Sequence, residues 1–284
     1  MKKVNNYFIG RDLLIATKHA KEKVIAPVIT SALQVKCFTL PNLDTDLFGT
    51  FTGEVERKDD PLTTARKKCL YAMEQANCDL AIASEGSFGP HPSLYFVPAN
   101  EEWLILIDKK NNFEIVVREL STQTNFSSKT ISDRNDLIEF AGNIGFPGHG
   151  IILKHTLHNT LTVQKNFSSL HHLLVQYHQM MNNGGIVTAE TDMRAVHNPT
   201  RMQVIEKAAQ QLVKKIQSAC PSCGAPGYGI VEAKEGLPCA WCSTPTHVTM
   251  SYVYACHQCH FQEEKLYPHG KPLAEPMYCD ICNP

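Results

Sequence analysis

The sequence predicts an α/β protein with a mixed sheet flanked by helices, followed by a small C-terminal domain of tandem zinc ribbons. Strand-like and helix-like segments alternate through the first half of the chain, a pattern typical of α/β folds. Eight of the 11 cysteines then fall within residues 219–284, as four Cys-x-x-Cys pairs. We therefore place one domain at residues 1–218 and a second at 219–284.

Short apolar runs separated by amphipathic segments predict the elements of the first half. Pro61 suits the first position of a helix, where its missing N–H costs nothing. The turn Lys-Lys-Asn-Asn at 109–112 joins two β-like runs, so it predicts a hairpin and makes the sheet mixed. We predict strands at 12–17, 35–40, 79–84, 101–108 and 113–120, and helices at 19–33 and 61–76.

The last helix of this domain has the clearest local signal. Asn198 followed by Pro199 predicts an N-cap and a first helical position. The apolar stripe from Val204 to Ile216 predicts that this helix packs on a core. Between the hairpin and this helix we predict a loop at 121–135, helices at 133–144 and 168–181, and a strand at 151–154.

The charge balance excludes a general attraction for polyanions. The chain holds 27 Lys and Arg against 28 Asp and Glu, a net charge of −1. Binding to nucleic acid or to an anionic membrane would need a local basic patch. No apolar run approaches the ~20 residues of a membrane span, and the N-terminus lacks the h-region of a signal peptide, so we expect a cytoplasmic protein.

The four cysteine pairs predict two structural zinc ions. They are Cys220/Cys223, Cys239/Cys242, Cys256/Cys259 and Cys279/Cys282. A Cys-x-x-Cys knuckle presents two thiolates to one ion, and two knuckles close a tetrahedral site with no open position for catalysis. Sequential pairing, first knuckle with second and third with fourth, is our preferred interpretation. The crossed alternative joins first with third and second with fourth.

The zinc domain itself is acidic. Residues 219–284 hold three Lys, no Arg, five Glu and one Asp, a net charge of −3, which disfavours nucleic acid. Its aromatic residues either stack bases or fill a thin core. These are Tyr228, Trp241, Tyr252, Tyr254, Phe261 and Tyr267. A protein-interaction or domain-stapling role is the alternative to nucleic-acid binding.

Acidic residues cluster around two predicted turns of the first domain. Asp44, Asp46 and Glu54 lie in one Gly- and Thr-rich segment, and Glu85 follows directly on a predicted buried strand, in a predicted loop. Ligand sites of α/β proteins lie beyond strand ends, and carboxylate oxygens suit Mg²⁺. The alternative is plain turn chemistry, which uses the same residue types. The candidate catalytic residues are Glu85, Asp44, Asp46 and His91.

Basic residues near two helix N-termini are candidates for binding phosphate. Arg194 and Arg201 flank the start of the last helix, and Lys21 and Lys23 lie at the start of the first. Helix N-termini attract anions, and guanidinium groups bind phosphate in bidentate fashion. The alternatives are an internal salt-bridge network that anchors the last helix and a solvated first turn in the first helix. The candidate set is Lys21, Lys23, Ser87, Glu190, Asp192, Arg194 and Arg201.

Several strings across the chain resemble an uncharacterised bacterial family known only as a domain of unknown function. These strings are ATKHAKEK (16–23), DTDLFGTFTGE (44–54), ASEGSFGPHP (83–92), GFPGHG (145–150), ETDMRA (190–195), NPTRM (198–202) and CPSCG (220–224). The resemblance covers nearly the whole chain and implies no particular activity.

The order of the first elements is also similar to that of the inosine/xanthosine triphosphate pyrophosphatases. The shared features are a strand leading through Ala16-Thr17 and a lysine into a helix, a second helix with Lys67 and Lys68, and a strand ending in an acid and Gly. The resemblance implies an α/β enzyme that uses Mg²⁺ to cleave nucleoside triphosphates. It also implies that Lys21 or Lys23 binds phosphate and that Glu85 binds metal or orients water.

Three function hypotheses follow. The first is a Mg²⁺-dependent phosphohydrolase that acts on a nucleotide or a related phosphorylated small molecule. The second is a nucleic-acid-associated protein that uses the zinc ribbons. The third is a non-enzymatic scaffold that uses the ribbons to form homo-oligomers or to hold a partner. We favour the first by a small margin.

Overall fold

The computed structural model describes residue 4 and residues 6–41, 43–44, 46–49 and 58–284, with the side chain of Asp46 left out. The chain divides into two compact units, Gly10–Leu212, and Met1–Ile9 together with Val213–Pro284. Among the residues described, no helix has the length and apolar character needed to cross a membrane.

A five-stranded mixed sheet forms the first part of the Gly10–Leu212 unit, as predicted. Its order is β2-β1-β3-β4-β5, with β1 parallel to β2 and β3 and the remaining pairs antiparallel. The strands are β1 (Asp12–Ala16), β2 (Lys36–Phe38), β3 (Leu80–Pro90), β4 (Pro98–Asp108) and β5 (Phe113–Ser121).

Helices α1 (Glu22–Leu33) and α2 (Pro61–Ala76) connect the parallel strands. The carboxylate of Asp60 caps α2 by accepting a 3.0 Å hydrogen bond from the backbone N–H of Thr63, which explains why the helix begins at Pro61. Small and apolar side chains of α2 pack against β1, β3 and β4 in one buried core.

Strand β3 is longer than the sequence predicts. The loop predicted after residue 84 is absent, and β3 continues to Pro90 because β4 pairs with it through the register Pro90↔Pro98. Gly, Ser and Pro indicate turns when no partner is known, whereas here a neighbouring strand satisfies the backbone groups. Glu85 and Ser87 therefore lie on a strand and not in a loop.

A second, antiparallel sheet follows in the same unit. Its order is β6-β9-β7-β8, and α3 (Arg134–Ile144) and α4 (Leu170–Asn182) share its core. The sequence predicts the two helices and the beginning of β7. The strands are β6 (Ser128–Thr130), β7 (Ile151–Leu157), β8 (Thr160–Gln164) and β9 (Ile186–Thr191).

The last helix, α5, runs from Pro199 to Gln217, close to its predicted bounds. Asn198 caps it through a 2.9 Å hydrogen bond from the backbone N–H of Arg201 to Asn198 Oδ1. Beyond α5, a three-stranded antiparallel sheet is formed by β10 (Gly229–Glu235), β11 (Thr249–Ala255) and β12 (Gln262–Leu266).

Candidate functional site

The strand order reverses at β1, whose last residue, Ala16, pairs with Ala83 in the middle of β3. From β1 the chain passes through α1 to β2 on one side, and it then returns through α2 to β3 on the other side. In open α/β sheets, ligands bind where the strand order reverses in this way. A cavity of about 450 Å³ lies beyond the carboxyl ends of β1 and β2, lined by Thr17, Lys18, Leu40, Leu43 and Asp44.

Lys21 is buried at this edge, immediately before α1. Its ammonium Nζ donates to Ser84 Oγ at 3.0 Å and to the Ser84 carbonyl at 3.3 Å. Within the described part of the chain, no carboxylate oxygen lies within hydrogen-bond distance of this amine. Burial, followed by repulsion from Arg201, lowers the pKa of Lys21 to about 8.

Glu85 and Lys68 form a buried ion pair on the α2 side of the sheet. Lys68 Nζ lies 2.6 Å from Glu85 Oε2, and both side chains are at most one-tenth exposed. The α2 position of Lys68 falls in the helical stripe of Ala65, Cys69 and Ala72, which is buried. A lysine within a stripe of buried small residues is the sequence signal that could have indicated a buried role for Lys68. Lys68 is not among the predicted site residues.

Arg201 and Glu102 form a second ion pair, which is fully buried. Arg201 Nε lies 2.6 Å from Glu102 Oε1, and neither side chain has measurable exposure. Gly86 lies directly opposite Glu102 in the β3–β4 register. A Cβ at Gly86 would overlap Arg201 Nη2 and lie 2.6 Å from Glu102 Oε1, so any other residue at this position must displace a member of the pair. Arg201 is a predicted site residue but Glu102 is not, because nothing local marks Glu102 among the residues of β4.

Residues 84–86 of β3 thus lie among five charged side chains contributed by five elements. Among the described residues, three buried cations accompany two buried carboxylates: Lys21, Lys68 and Arg201 with Glu85 and Glu102. The Thr64 hydroxyl, one turn before Lys68 in α2, is also buried without a hydrogen-bond partner. A local excess of buried cations attracts an anionic ligand.

The structure places the remaining candidate phosphate ligands in other contacts. Arg194 is held by Asp192, with Nη2 at 2.6 Å from Asp192 Oδ2, and also donates to Asn166. Glu190 pairs with Lys154 at 2.8 Å in the second sheet. The geometry of Asp192 and Arg194 is that of a salt bridge at the start of α5, which was our alternative interpretation.

The other candidates near the crevice differ in accessibility. Lys23 is exposed in the first turn of α1, and Ser87 lies partly exposed on β3. Asp44 is exposed at the cavity and pairs with Lys18 at 3.0 Å. Glu54 and the side chain of Asp46 lie outside the described residues.

His91 serves the turn between β3 and β4. Its Nδ1 accepts the backbone N–H groups of Ser93 and Leu94 at 3.1 and 3.2 Å. This nitrogen is therefore engaged in local structure, and the hydrogen bonds give His91 a role in shaping the hairpin.

No magnesium cluster is visible in the described part of the Gly10–Leu212 unit. Across all the described residues, two groups of three or more His, Cys, Asp or Glu side chains are close enough to share an ion, and both are the cysteine clusters. The described carboxylates therefore do not form a metal site by themselves, and we assign no chemical step to Mg²⁺.

The eight knuckle cysteines form two four-sulfur clusters in the unit that contains Val213–Pro284. One consists of Cys220, Cys223, Cys256 and Cys259, and the other of Cys239, Cys242, Cys279 and Cys282. Sulfur–sulfur separations of 3.5 to 3.9 Å occur in both clusters. Tetrahedral zinc with Zn–S bonds of ~2.3 Å requires sulfur atoms ~3.8 Å apart, so the donor sets fit two zinc ions.

All four knuckles have the same backbone turn. In each, the residue after the second cysteine donates its N–H to the carbonyl of the first, at 2.9 to 3.1 Å. Gly224, Ser243 and His260 adopt left-handed backbone conformations at this position. In two knuckles a backbone N–H also points at a ligand sulfur, from Trp241 to Cys239 and from Gln258 to Cys256. Such hydrogen bonds orient metal ligands and stabilise thiolate charge.

The pairing of the knuckles is crossed, so our preferred sequential pairing is wrong. The first knuckle joins the third and the second joins the fourth. The antiparallel sheet supplies the reason, because β10 and β11 return the chain past the first knuckle before the third begins. Short sequence gaps favour neighbouring knuckles only in an unfolded chain.

Three of the aromatic residues fill the core around the first cluster. Tyr228 is buried against Cys220 and Cys256, and the rings of Tyr254 and Phe261 pack beside it. Trp241, in contrast, is 77% exposed in the second knuckle.

Two comparisons relate the chain to known proteins. A structural match is protein VC0702 from Vibrio cholerae, with 8% sequence identity and a TM-score of 0.32, covering 74% of this chain and 97% of that one. A search of curated proteins finds no match.

The comparison with family models covers most of the chain. Residues 68–284 match the model described as Domain of unknown function (DUF6671). The matched region includes both cysteine clusters and four of the five charged residues at the crevice. The chain therefore belongs to the DUF6671 family.

Proposed function

We propose that the Gly10–Leu212 unit binds a phosphorylated small molecule of the nucleotide class at the carboxyl end of β1, beside Ser84 of β3, and that it hydrolyses a phosphate ester or anhydride there. The observation that supports this most is the buried amine of Lys21. It lies at the edge where α/β proteins bind ligands, and its described partners are uncharged groups of Ser84.

Energetics favour a functional role for Lys21. Burying a cation without a counter-ion is costly, and the lowered pKa of Lys21 reflects that cost. Strongly perturbed ionisable groups in clefts are frequent at functional sites. An anionic phosphate beside Lys21 would provide the missing counter-charge.

The local backbone adds to the attraction for phosphate. Helix α1 starts without a side-chain cap, and the N–H groups of Lys23 and Val24 donate to the carbonyls of Ala20 and Lys21, so the positive end of the helix dipole is the backbone contribution here. Lys18 and Lys23 are exposed on the same segment and add positive charge near the cavity. Glu85 holds Lys68 in place from the opposite face of β3.

In this proposal, Mg²⁺ binds together with the phosphorylated substrate. Mg²⁺ is commonly held by one or two carboxylates together with substrate phosphates, and Asp44 offers an exposed carboxylate at the cavity. The ion is therefore varied in the assay.

The test measures both binding and turnover with zinc-loaded full-length protein. Pyrophosphate and nucleoside mono-, di- and triphosphates are titrated calorimetrically, with and without Mg²⁺, and released phosphate and pyrophosphate are measured. We expect binding and turnover by wild type, loss of at least tenfold in affinity in Lys21→Met, and loss of turnover in Glu85→Gln. Lys110→Met, in the exposed β4–β5 turn, is the matched control and should behave as wild type. Equal binding by Lys21→Met and wild type, or no binding of any compound at millimolar concentration, would overturn the proposal.

An exposed apolar surface at the second cysteine cluster supports a second candidate function, protein association. Trp241, Met277 and Ile281 are 60 to 77% exposed, and two of them lie inside the knuckles that share one ion. Exposed apolar patches mark interaction sites. Light scattering of the zinc-loaded chain tests self-association; oligomers that dissociate in Trp241→Ala would support it, and a monomer at all concentrations would refute the self-association form of it.

A further inference from the structure

Ser84 and Lys21 have the geometry of a nucleophile and its base. Ser84 Oγ accepts from Lys21 Nζ at 3.0 Å in the observed hydrogen bond, and the same contact transfers a proton in the opposite direction once the amine is neutral. A serine hydroxyl is a weak nucleophile until an adjacent base takes its proton, and serine–lysine pairs are one known solution.

Ser84 lies on β3 near the residues that line the cavity. Ala16 pairs with Ala83 in the parallel register of β1 and β3, so Ser84 lies in the middle of β3, next to the point where β1 ends and Thr17 begins the following loop. Thr17 lines the 450 Å³ cavity. Ser84 itself is buried, at 5% exposure, and it is the β3 residue that follows the partner of Ala16, the residue one position before Thr17.

We propose that Ser84 is a covalent nucleophile towards the phosphorus of a bound phosphate ester or anhydride, with Lys21 as its general base. This proposal rests on the proposed function of the same crevice. It replaces attack by water on the substrate with attack by the serine hydroxyl.

The proposed reaction has two balanced steps. In the first, Ser84 Oγ forms a bond to phosphorus while the bond from phosphorus to the leaving oxygen breaks; neutral Lys21 takes the serine proton and passes it to the leaving oxygen. In the second, water attacks the phosphoserine, gives one proton to Lys21, and Ser84 regains its hydroxyl proton from Lys21 as inorganic phosphate departs. No oxidant or further reactant is required.

The charged groups around Lys21 suit this role. Arg201 from α5 and Lys68 from α2 are cationic, whereas Glu85 from β3 and Glu102 from β4 are anionic. The cations lower the pKa of Lys21 and can also stabilise negative charge that develops on phosphoryl oxygens. With a pKa of about 8, a useful fraction of Lys21 is neutral at physiological pH, unlike an ordinary lysine.

A fluorophosphonate tests the nucleophile without knowledge of the natural substrate. In that reaction the Ser84 Oγ–phosphorus bond forms, the phosphorus–fluorine bond breaks, and the serine proton passes to Lys21 as fluoride leaves. Zinc-loaded full-length protein is treated at pH 7 to 10, and the modified residue is identified by peptide mass spectrometry.

We expect an adduct on Ser84 whose rate of formation rises through about pH 8 and then levels off. Lys21→Met should slow labelling by about 100-fold, in line with the contribution of a general base. Ser84→Ala should abolish it. Ser128→Ala is the control, because Ser128 is exposed on β6 and would be the preferred target if accessibility alone decided reactivity.

The outcomes separate this proposal from the proposed function. Absence of an adduct on wild-type Ser84, or equal labelling in Lys21→Met, would overturn the nucleophile assignment even if phosphorylated compounds bind. Binding of pyrophosphate to both wild type and Ser84→Ala, with no adduct, would leave the proposed function standing and remove only the serine step. An adduct without binding of any phosphorylated compound would support the nucleophile and overturn the proposed function.

Discussion

Lys21 and Gly86 are two buried residues whose roles depend on the charges around them. One carries a charge into the interior without a described carboxylate partner, and the other leaves room for a charge pair that belongs to other elements. A substitution at either residue should therefore change the free energy of unfolding through buried charge as well as through packing.

Replacing Lys21 by Met should stabilise the protein at neutral pH. A pKa near 8 in the folded state, against 10.5 in the unfolded state, disfavours folding by roughly 3 kcal/mol below pH 8, and loss of two hydrogen bonds to Ser84 offsets part of this. We expect Lys21→Met to raise the free energy of unfolding by about 1–2 kcal/mol at pH 7, measured by urea denaturation.

The stabilities of wild type and Lys21→Met should also differ in their dependence on pH. Between about pH 8 and 10.5 the unfolded state binds more protons at this lysine than the folded state, so wild-type stability should gain from Lys21 as pH rises through that window. The advantage of Lys21→Met should shrink over the same interval. A constant difference from pH 7 to 10 would contradict the lowered pKa.

Replacing Gly86 by Ala should destabilise the protein by about 3 kcal/mol or more. The new methyl group would overlap the Arg201 guanidinium and Glu102, and displacing either leaves a buried charge without its partner. Gly89→Ala is the matched control, because the same strand leaves open space around a Cβ there. Thermal or urea denaturation measures both, and similar stabilities for the two variants would refute the tight fit.

At the level of elements, local signals predicted the helices well and the strand pairing poorly. Asp60, Pro61 and Asn198 mark helix starts through their own hydrogen bonding, so α2 and α5 lie close to their predicted bounds. The continuation of β3 to Pro90 depends on β4, which no window around residues 84–90 contains. The strands β6, β8 and β9 escaped prediction for the same reason.

The site residues show the same contrast between local signals and partners distant in sequence. Lys21, Glu85 and Arg201 were identified because each lies near a helix start or a predicted strand end. Glu102 and Lys68 were not, since their role depends on partners distant in sequence, Arg201 and Glu85. The cysteine clusters were identified from spacing, but their pairing depends on the path of β10 and β11.

Double cysteine variants test the crossed pairing by zinc content. Cys220→Ser with Cys256→Ser removes two ligands from one cluster, so one zinc per chain should remain. Cys220→Ser with Cys239→Ser removes one ligand from each cluster, so both ions should be weakened and lost during dialysis against chelator. Metal analysis of the dialysed proteins distinguishes them; the reverse pattern would indicate sequential pairing.

At the scale of the whole molecule, the cysteine-containing unit is built from both ends of the described chain. Val4 and Phe8 are buried and belong to the same compact unit as Val213–Pro284. Tyr7 lies near Cys223 and Cys256, and burial together with these thiols raises the pKa of its phenol. The N-terminal segment therefore belongs to the unit that holds the first cluster, with Tyr7 close enough to sense two of its thiols.

Truncating Phe8 should weaken this unit. Phe8 is fully buried, and Phe→Ala changes in cores cost about 3–5 kcal/mol. We expect Phe8→Ala to lower the free energy of unfolding by about that amount and to speed zinc release to a chelator. Ile9→Ala, at a half-exposed neighbour, should change the free energy of unfolding by no more than about 0.5 kcal/mol. Its rate of zinc release should stay close to that of wild type. Equal zinc release by the two variants would show that the N-terminal segment does not support the cluster.

Crossed pairing also has a consequence for how the protein acquires its metal. Cys223 and Cys256 are 33 positions apart and Cys242 and Cys279 are 37 apart, whereas Cys223 and Cys239 are only 16 positions apart. Halving a loop favours its closure by only ~0.6 kcal/mol, but it also brings neighbouring knuckles together first. Zinc added to the unfolded chain should therefore be captured initially by the wrong partners, and refolding would then wait for thiolates to exchange between ions.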